Sequence, residues 1–455
     1  MRPAHGGAFR LALPALPSTL DPALAVEPQD VAAARATSAP LLELDAGGRL
    51  APGLLEEVPV PDPTGRTYHL RLRPDLRTFD DRPVGAAELA AALGRLAAPA
   101  TRSPHAWAVL PILGAEAMLA GRAPALAGVS IVSEREVLVT LERPLPGFPR
   151  VLAALPLALP GLGPFQPPRA PAAGDALTLP ANPRCPRGPP YAAALVLVAA
   201  RDARAAARLL ERGEADVVLR PEPPAGRAGP AFPALAALVA AVEPARLGAA
   251  APPVRAALAG LDRADLARRR PRGSAEPMAT LVPGALLPAG DAAVEAASAP
   301  AGGLPHEVKL LVPEGSADAR AAADRLQVRL FDLKVKAAVE VAPRARFQER
   351  LAAHDYEVAL VPVPVLATDP ALAAAEVAFA VRGADGARRA LAAMAAAIPM
   401  DQPSVAVALA RALDLVPLFA AAPRAALGPT AQGLLPRADG GFDAGELWRL
   451  GGGAP

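Results

Sequence analysis

Side chains that could carry out catalysis are scattered along this chain of 455 residues. Its five histidines include no pair at the spacing that places two metal ligands on one face of a helix. The sequence also lacks the G-x-S-x-G nucleophile elbow, the H-E-x-x-H metal motif and the P-loop. We therefore expect no catalytic residue, no metal site and no cofactor, and we interpret each histidine as solvated or structural.

Two short motifs could be mistaken for functional sites. Asp80 and Asp81 form a carboxylate pair in sequence, but a turn is the better interpretation of two adjacent aspartates. Gly161 and Gly163 could suggest a phosphate-binding loop, yet no Lys-Ser or Lys-Thr follows them and Pro164 removes a backbone donor. We favour a close crossing of two chain segments, where glycine avoids a clash.

Composition excludes several classes of protein. With 52% hydrophobic and 20% charged residues the chain is globular, and its length favours two or three domains. The net charge of +2 argues against a nucleic-acid-binding surface. The lone Cys185 excludes an intramolecular disulfide. No apolar run of about 18 residues is free of proline and charge, so we expect no transmembrane helix.

Periodicity predicts an α/β architecture in the second half of the chain. Strands and helices alternate there, which favours a partly parallel sheet. The predicted elements are strands at 308–313, 335–341 and 356–361 and helices at 317–331, 343–353, 387–398 and 404–413. We also predict a helix at 233–242 and, at 415–419, a strand that returns to the first lobe.

A family resemblance is carried by residues 73–84, RPDLRTFDDRPV. This segment resembles the LR-x-G-V-x-F-x-D-G-x-P-(V/L) signature of the family 5 extracellular solute-binding proteins, which serve ABC importers of dipeptides, oligopeptides and nickel. Asp75 and Asp81 stand where the signature has glycines, and Phe79 falls one position late. Further segments resemble the family at residues 6–13, 20–23, 138–144, 161–165, 213–216 and 446–448.

The resemblance implies a two-lobed periplasmic-binding-protein fold, with mixed sheets flanked by helices and an extra small subdomain in the first lobe. By this comparison residues 1–45 begin lobe I, 46–160 form its outer subdomain and 161–245 complete its central part. Residues 246–414 then form lobe II, and 415–455 return to lobe I. The scattered histidines disfavour a nickel-binding role.

The resemblance also points to ligand-binding candidates at residues 361–370. In peptide-binding relatives an aromatic residue and then an aspartate, which pairs with the peptide's amino terminus, follow this strand. Val363 stands for the aromatic residue and Leu366 for the aspartate. A buried ammonium without a carboxylate partner is costly, so recognition of a free amino terminus is in doubt. Asp369, next to the further candidate Thr368, could substitute, or could simply begin an Asp-Pro turn.

The last candidate is Glu27, which follows the family-like LDPA segment and could reach the mouth of the cleft or lie in a solvated loop. The implied function is capture of a peptide or other small solute by a monomer that delivers it to ABC permease subunits. No nucleic-acid partner is expected. The alternatives are a non-transporting sensor or interaction protein with a degenerate cleft, and an enzyme such as a hydrolase on the same scaffold.

The implied location is periplasmic or extracytoplasmic. Residues 1–14 lack the continuous apolar segment of an export signal, because Arg10 and Pro14 interrupt it. The family-like start of the chain favours a signal encoded upstream of Met1 over a protein that stays inside the cell.

Overall fold

The computed structural model describes residues 3, 5–45, 48–220, 228–232, 236–269, 275–287, 303–421, 424–437 and 439–450. Over these residues no helix is long and apolar enough to cross a membrane. The chain divides into two compact units. Unit 1 comprises Met1–Pro233, Leu366–Thr368 and Pro423–Pro455, and unit 2 comprises Ala234–Val365 and Asp369–Ala422.

The strands of the described residues are, in chain order, β1 (Ala8–Leu13), β2 (Ser38–Ala39), β3 (Leu42–Leu44), β4 (Leu50–Pro52), β5 (Thr67–Arg71), β6 (Val129–Ser133), β7 (Glu136–Thr140), β8 (Leu159–Pro160), β9 (Ala176–Pro180), β10 (Ala194–Ala199), β11 (Val217–Arg220), β12 (Ala228–Ala231), β13 (Ala236–Val242), β14 (Ala275–Pro277), β15 (Glu307–Pro313), β16 (Lys336–Ala342), β17 (Val358–Pro364), β18 (Leu415–Ala421), β19 (Arg424–Leu427), β20 (Ala431–Gln432) and β21 (Trp448–Arg449).

The α-helices of the same residues are α1 (Pro28–Thr37), α2 (Ala86–Ala97), α3 (Ala115–Leu119), α4 (Phe148–Leu152), α5 (Ala203–Glu211), α6 (Pro244–Leu247), α7 (Ala251–Ala259), α8 (Arg263–Arg269), α9 (Ala317–Asp332), α10 (Arg344–Ala352), α11 (Pro370–Ala396) and α12 (Gln402–Ala412).

Unit 1 is built on a six-stranded sheet in the order β12-β19-β11-β1-β10-β9. The strand β1 runs parallel to both of its neighbours, β10 and β11. Phe9, Leu11 and Leu13 on one face of β1 are fully buried, and Ala12 on the other face is buried as well. The central strand therefore packs on both sides, as expected for a sheet covered by helices on its two faces.

A smaller three-stranded sheet in unit 1 has the order β5-β7-β6. Tyr68 and Leu70 on β5 are buried, whereas His69 between them is exposed, which confirms the predicted alternation. The helix α2 buries Leu89, Leu93 and Leu96, as its helical spacing predicts.

The Gly161–Gly163 motif is a close crossing of chain segments, as predicted. A Cβ atom at Gly163 would lie 2.4 Å from the carbonyl carbon of Thr37 and 2.5 Å from the amide nitrogen of Ser38. The Asn182 side chain donates to the Gly163 carbonyl at 2.8 Å and fixes the crossing from its other side. Glycine is required here by space.

Unit 2 is built on a second six-stranded sheet, in the order β14-β18-β13-β17-β15-β16. The strand β15 runs parallel to β16 and β17, while β13 runs antiparallel to β17 and β18. The helix α9 buries Leu326 and Leu330. The predicted alternation of strands and helices in a partly parallel sheet is confirmed.

Three predictions about single elements need correction. The predicted helix at 233–242 is instead the strand β13 over its described part, because a short, continuously apolar run has no periodicity that separates a buried strand from a helix. The predicted strand at 415–419 does form, but it hydrogen-bonds to β13 in the second sheet rather than joining the first lobe. The helix α11 begins at Pro370, ahead of the predicted 387–398, and contains a break at Gly383, whose φ of 61° favours glycine.

Candidate functional site

The strand β17 contains the candidate Val363, and the candidates Leu366, Thr368 and Asp369 follow it in the chain. It lies between β13 and β15, and Val363 pairs with Ala237 of β13. The Val363 side chain is only 1% exposed, so it belongs to the core of the sheet. In this conformation Val363 supports the strand and offers no surface to a ligand.

Residues 365–369 connect β17 to α11 and are called the exit segment below. Its first three residues, Val365, Leu366 and Ala367, are between 2% and 4% exposed. Leu366, which stands where the family resemblance implies a ligand-binding aspartate, is thus part of an apolar interior. A carboxylate at this position would need a partner of opposite charge to offset its desolvation.

The exit segment ends in a helix cap. The Asp369 carboxylate accepts hydrogen bonds from the backbone amides of Ala371 at 2.9 Å and Leu372 at 3.2 Å, and Pro370 occupies the first helical turn. Asp369 therefore satisfies donors that the start of α11 would otherwise leave exposed. Of the two roles that the sequence allows for Asp369, this geometry matches the Asp-Pro turn, and that turn begins the helix α11.

Thr368 precedes that cap and is half-buried. Its hydroxyl oxygen is shielded from solvent and has no hydrogen-bond partner among the described residues. An unsatisfied hydroxyl is unfavourable where it is shielded from solvent, and less so in a residue that is only half-buried. Of the exit-segment candidates, Thr368 alone presents an unbonded polar side-chain group within the described part of the chain.

Residues 18–27, which lead to the candidate Glu27, are called the anchored loop. The carboxylate of the buried Asp30 accepts a hydrogen bond from the Ser18 amide at 2.7 Å and from its hydroxyl at 3.1 Å. The Thr19 amide also donates to Asp30, at 3.4 Å. Because Asp30 lies in the first turn of α1, these bonds tie the start of the loop to that helix.

Three side chains between residues 95 and 105 hold the middle of the anchored loop. Arg95 on α2 forms an ion pair with Asp21, in which Nη1 and Oδ1 are 3.0 Å apart. The Ser103 hydroxyl donates to the Ala23 carbonyl at 2.6 Å, and His105 Nε2 donates to the Ala25 carbonyl at 2.7 Å.

Burial lowers the pKa of His105 to about 4, only partly opposed by its bond to Ala25. The low pKa keeps the ring neutral near neutral pH. Because a carbonyl oxygen can only accept a hydrogen bond, the single ring proton is on Nε2. This buried histidine has the structural role that the sequence indicated for the histidines as a class.

Glu27 ends the anchored loop immediately before Pro28, the first residue of α1. Its carbonyl accepts the Val31 amide at 2.9 Å, but its side chain makes no capping bond to the helix. The Glu27 side chain is half-buried. Of the five candidates, unit 1 contains Glu27, Leu366 and Thr368. Unit 2 contains Val363 and Asp369.

A charged cluster in unit 2 was not predicted from the sequence. Glu243, at the end of β13, accepts from His354 Nδ1 and Arg382 Nη1, each at 2.8 Å, and Arg382 also donates to the Tyr356 hydroxyl at 3.1 Å. Arg382 Nη2 donates to the Val242 carbonyl at 2.6 Å. Arg382 is the residue immediately before Gly383, where α11 is broken. No local motif could reveal this cluster, because Glu243 and Arg382 are 139 positions apart.

The electrostatics of this cluster favour a structural role. Burial would raise the pKa of Glu243, but the hydrogen bonds from His354 and Arg382 and the charge of Arg382 outweigh it and lower the pKa, so the carboxylate stays ionised. Burial raises the pKa of Tyr356 to about 12, which keeps its hydroxyl protonated. The cluster joins α11 to β13 and to the residues just before β17. The strand β17 and the helix α11 are the two elements that the exit segment connects.

Across the described ranges, no group of three or more His, Cys, Asp and Glu side chains could hold a metal ion. Glu27 is the polar candidate for ligand binding in the anchored loop. Thr368 is the polar candidate in the exit segment, whose other residues offer mainly backbone and apolar groups.

Comparison with known proteins gives a family. The model of the bacterial extracellular solute-binding proteins of family 5 (Middle) matches residues 49–371. The periplasmic murein peptide-binding protein MppA of Escherichia coli is 31% identical over 140 residues, 30% of this chain. The probable deoxycholate-binding periplasmic protein YgiS of the same organism is 32% identical over 140 residues. Each match spans 26% of the curated relative's length.

Solved structures show the same fold. The chain superposes on the murein tripeptide-binding protein MppA of Escherichia coli with a TM-score of 0.80, at 17% identity and over 99% of both chains. It superposes on the OppA of Haemophilus influenzae, solved with the peptide RPPGFSPFR, with a TM-score of 0.78 at 17% identity, over 99% of this chain and 100% of that chain. The predicted periplasmic-binding-protein fold is confirmed.

Proposed function

Because the chain belongs to the bacterial extracellular solute-binding proteins of family 5, we propose that it is the solute-binding component of an ABC importer. The family match over residues 49–371 carries this proposal. The likeness to MppA and OppA supports a peptide or another small solute as the ligand and permease subunits as the partner. It supports a periplasmic or extracytoplasmic location in the same way.

In the proposed mechanism the two lobes close around the solute and present a closed form to the permease. The free energy for closure comes from a higher affinity of the closed form for the ligand, without covalent chemistry. We retain the outer subdomain at 46–160 as part of the proposal. The three-stranded sheet and its covering helix α2 support it.

Ligand selection follows from the exit segment. The buried Leu366 replaces the carboxylate that would pair with a ligand ammonium, so the proposed cleft does not depend on a free amino terminus. We propose Glu27 and Thr368 as the polar groups that contact the ligand, with Val363, Leu366 and Asp369 shaping the segment that supports them.

A thermal-shift screen tests the proposal. The protein is unfolded and refolded to remove any co-purified ligand, and is then heated with short peptides and small solutes. A ligand that binds the native state raises the midpoint as its concentration exceeds its Kd. We expect saturable stabilisation by at least one class of solute. If no member stabilises the protein, the result counts against importer function.

A paired substitution tests the role of Leu366. Leu366→Asp restores the family's carboxylate, and we expect affinity for peptides with a free amino terminus to rise about tenfold over that for their N-acetylated forms. Leu435→Asp makes the same chemical change at a site that is 74% exposed, and it serves as the control. Equal gains for both peptide forms would place the ligand's amino end elsewhere.

A further inference from the structure

A cavity of about 280 Å³ lies within unit 1, and no residue of the exit segment lines it. Three stretches of chain form most of its wall: the end of α1 with the residues up to 43, residues 185–191, and residues 437 and 439–446. Its size is near the lower end of the range for small-molecule sites, which is about 300–1,000 Å³. It is therefore suited to a ligand smaller than an oligopeptide.

A ladder of alternating charges crosses one wall of this cavity. Arg187 pairs with Asp443 through Nη2 and with Glu43 through Nη1, the latter at 2.7 Å. Arg437 pairs with the other oxygen of Glu43 at 3.2 Å. These four side chains are between 18% and 32% exposed, so most of their surface is withdrawn from solvent.

A second ion pair lies on the same wall. Arg35, at the end of α1, pairs with the carboxylate of Asp439 and donates to its backbone carbonyl at 3.1 Å. Burial would raise the pKa of Asp439, but Arg35 and Arg437 outweigh it and hold that pKa below its usual value. Asp439 is therefore ionised near neutral pH.

The charge balance of the wall identifies the class of ligand. Three arginines face four carboxylates, those of Glu43, Asp439, Asp443 and Glu446, so the wall has a small net negative charge and does not favour a simple anion. Apolar side chains, including Leu54 and Phe442, complete the lining. An ion-pair network that is largely buried brings little net stability over apolar packing, so stability alone does not account for its position beside open space.

We propose that this cavity is a second binding site, for a small zwitterion of the size of a free amino acid. The ligand's ammonium group donates to lone pairs that the ion pairs leave on Glu43 and Asp443, and its carboxylate accepts from the remaining N–H donors of Arg187 and Arg437. Both contacts are charge-assisted hydrogen bonds, which are the strong ones. The apolar wall receives the ligand's side chain.

Isothermal titration with three matched compounds tests the charge requirement. L-leucine carries both charges, N-acetyl-leucine only the negative one and leucine amide only the positive one. We expect L-leucine to bind and each single-charge analogue to bind at least about tenfold more weakly. Binding of N-acetyl-leucine or leucine amide equal to that of L-leucine, or no binding of L-leucine, would overturn the proposal.

Variants locate the binding. Arg187→Gln removes the charge that links Glu43 to Asp443, and we expect a loss of about tenfold or more in affinity for L-leucine. Arg201→Gln is the matched control, because its partner Asp175 lies 3.4 Å away on an exposed surface where Arg201 is 82% exposed. If Arg187→Gln does not fold, as judged by circular dichroism, Asp443→Asn takes its place. Unchanged binding in the folded variant contradicts the assignment.

The same variants separate this inference from the proposed importer function. Peptides or other solutes that stabilise the parent protein in the thermal-shift screen should stabilise Arg187→Gln equally, because no residue of the exit segment lines the cavity. A loss of both activities would mean that the cavity and the proposed ligand cleft are one site, which also overturns the proposal.

Discussion

The anchored loop and the exit segment both lead to candidate ligand-binding residues, but different forces hold them. Polar bonds from Asp30, Arg95, Ser103 and His105 fix the loop. Apolar burial at 365–367 and a helix cap fix the exit segment. We therefore expect the stability of the loop to depend on pH and that of the apolar part of the exit segment to depend on side-chain volume. Four substitutions test this contrast.

The largest effect is expected in the exit segment. Leu366 is 2% exposed, so Leu366→Ala should lower the free energy of unfolding by about 3 to 4 kcal/mol through lost burial and a residual cavity. Urea unfolding measures the loss, which should be the same in mildly acidic and neutral solution. Leu435→Ala, at a residue that is 74% exposed, should change little. A loss at Leu366 as small as that at Leu435 would show that burial does not hold the segment.

The anchored loop should instead depend on pH through His105. Its pKa falls from an ordinary 6.5 to about 4 on folding, so the unfolded chain binds the proton first as the solution is acidified. The stability due to neutral His105 is complete above pH 6.5 and declines as the pH falls towards 4, by about 3 kcal/mol in total.

Urea unfolding across this range measures that effect. His105→Gln, which has no titrating ring, should flatten the pH dependence. Identical slopes in the parent and His105→Gln would contradict the account of the loop.

A smaller effect is expected at the helix cap. Asp369→Ala leaves the amides of Ala371 and Leu372 without their acceptor and should lower the free energy of unfolding by about 1 kcal/mol. Asp369→Asn keeps a capping oxygen and should lose much less. If both variants lose the same amount, the charge of Asp369 matters more than its role as a cap.

The smallest effect is expected at Thr368. Its hydroxyl has no bonding partner in the described part of the chain, so Thr368→Val should change the free energy of unfolding by no more than about 0.5 kcal/mol or stabilise the protein slightly. The same variant should weaken binding of any ligand that satisfies this hydroxyl. A large loss of stability without ligand would show that the hydroxyl is already bonded.

The sequence predicted the backbone better than the chemistry. Asp75 and Asp81 stand at the positions of the family's glycines, and their φ angles of 58° and 68° are in the left-handed region that glycine favours and aspartate tolerates. A local pattern thus preserves a local conformation even when the residue changes. The buried alternation on β5 and the Gly163 crossing were predictable for the same reason.

What could not be predicted depends on contacts distant in sequence. Glu243 and Arg382 meet only after β13 and α11 have packed in unit 2. The strand β13 itself is an apolar run whose conformation is decided by its neighbours β17 and β18 rather than by its own pattern. The anchored loop likewise acquires its bonds from Ser103 and His105, about 80 residues further along the chain.

We propose that the protein binds its solute without a carboxylate at position 366 to anchor a free amino terminus. Isothermal titration of the refolded parent protein with matched pairs of peptides, one with a free and one with an acetylated amino terminus, tests it most directly. We expect binding, with affinities within about threefold of each other in each pair. A preference of about tenfold or more for the free amine, or no binding of any peptide or solute, would contradict it.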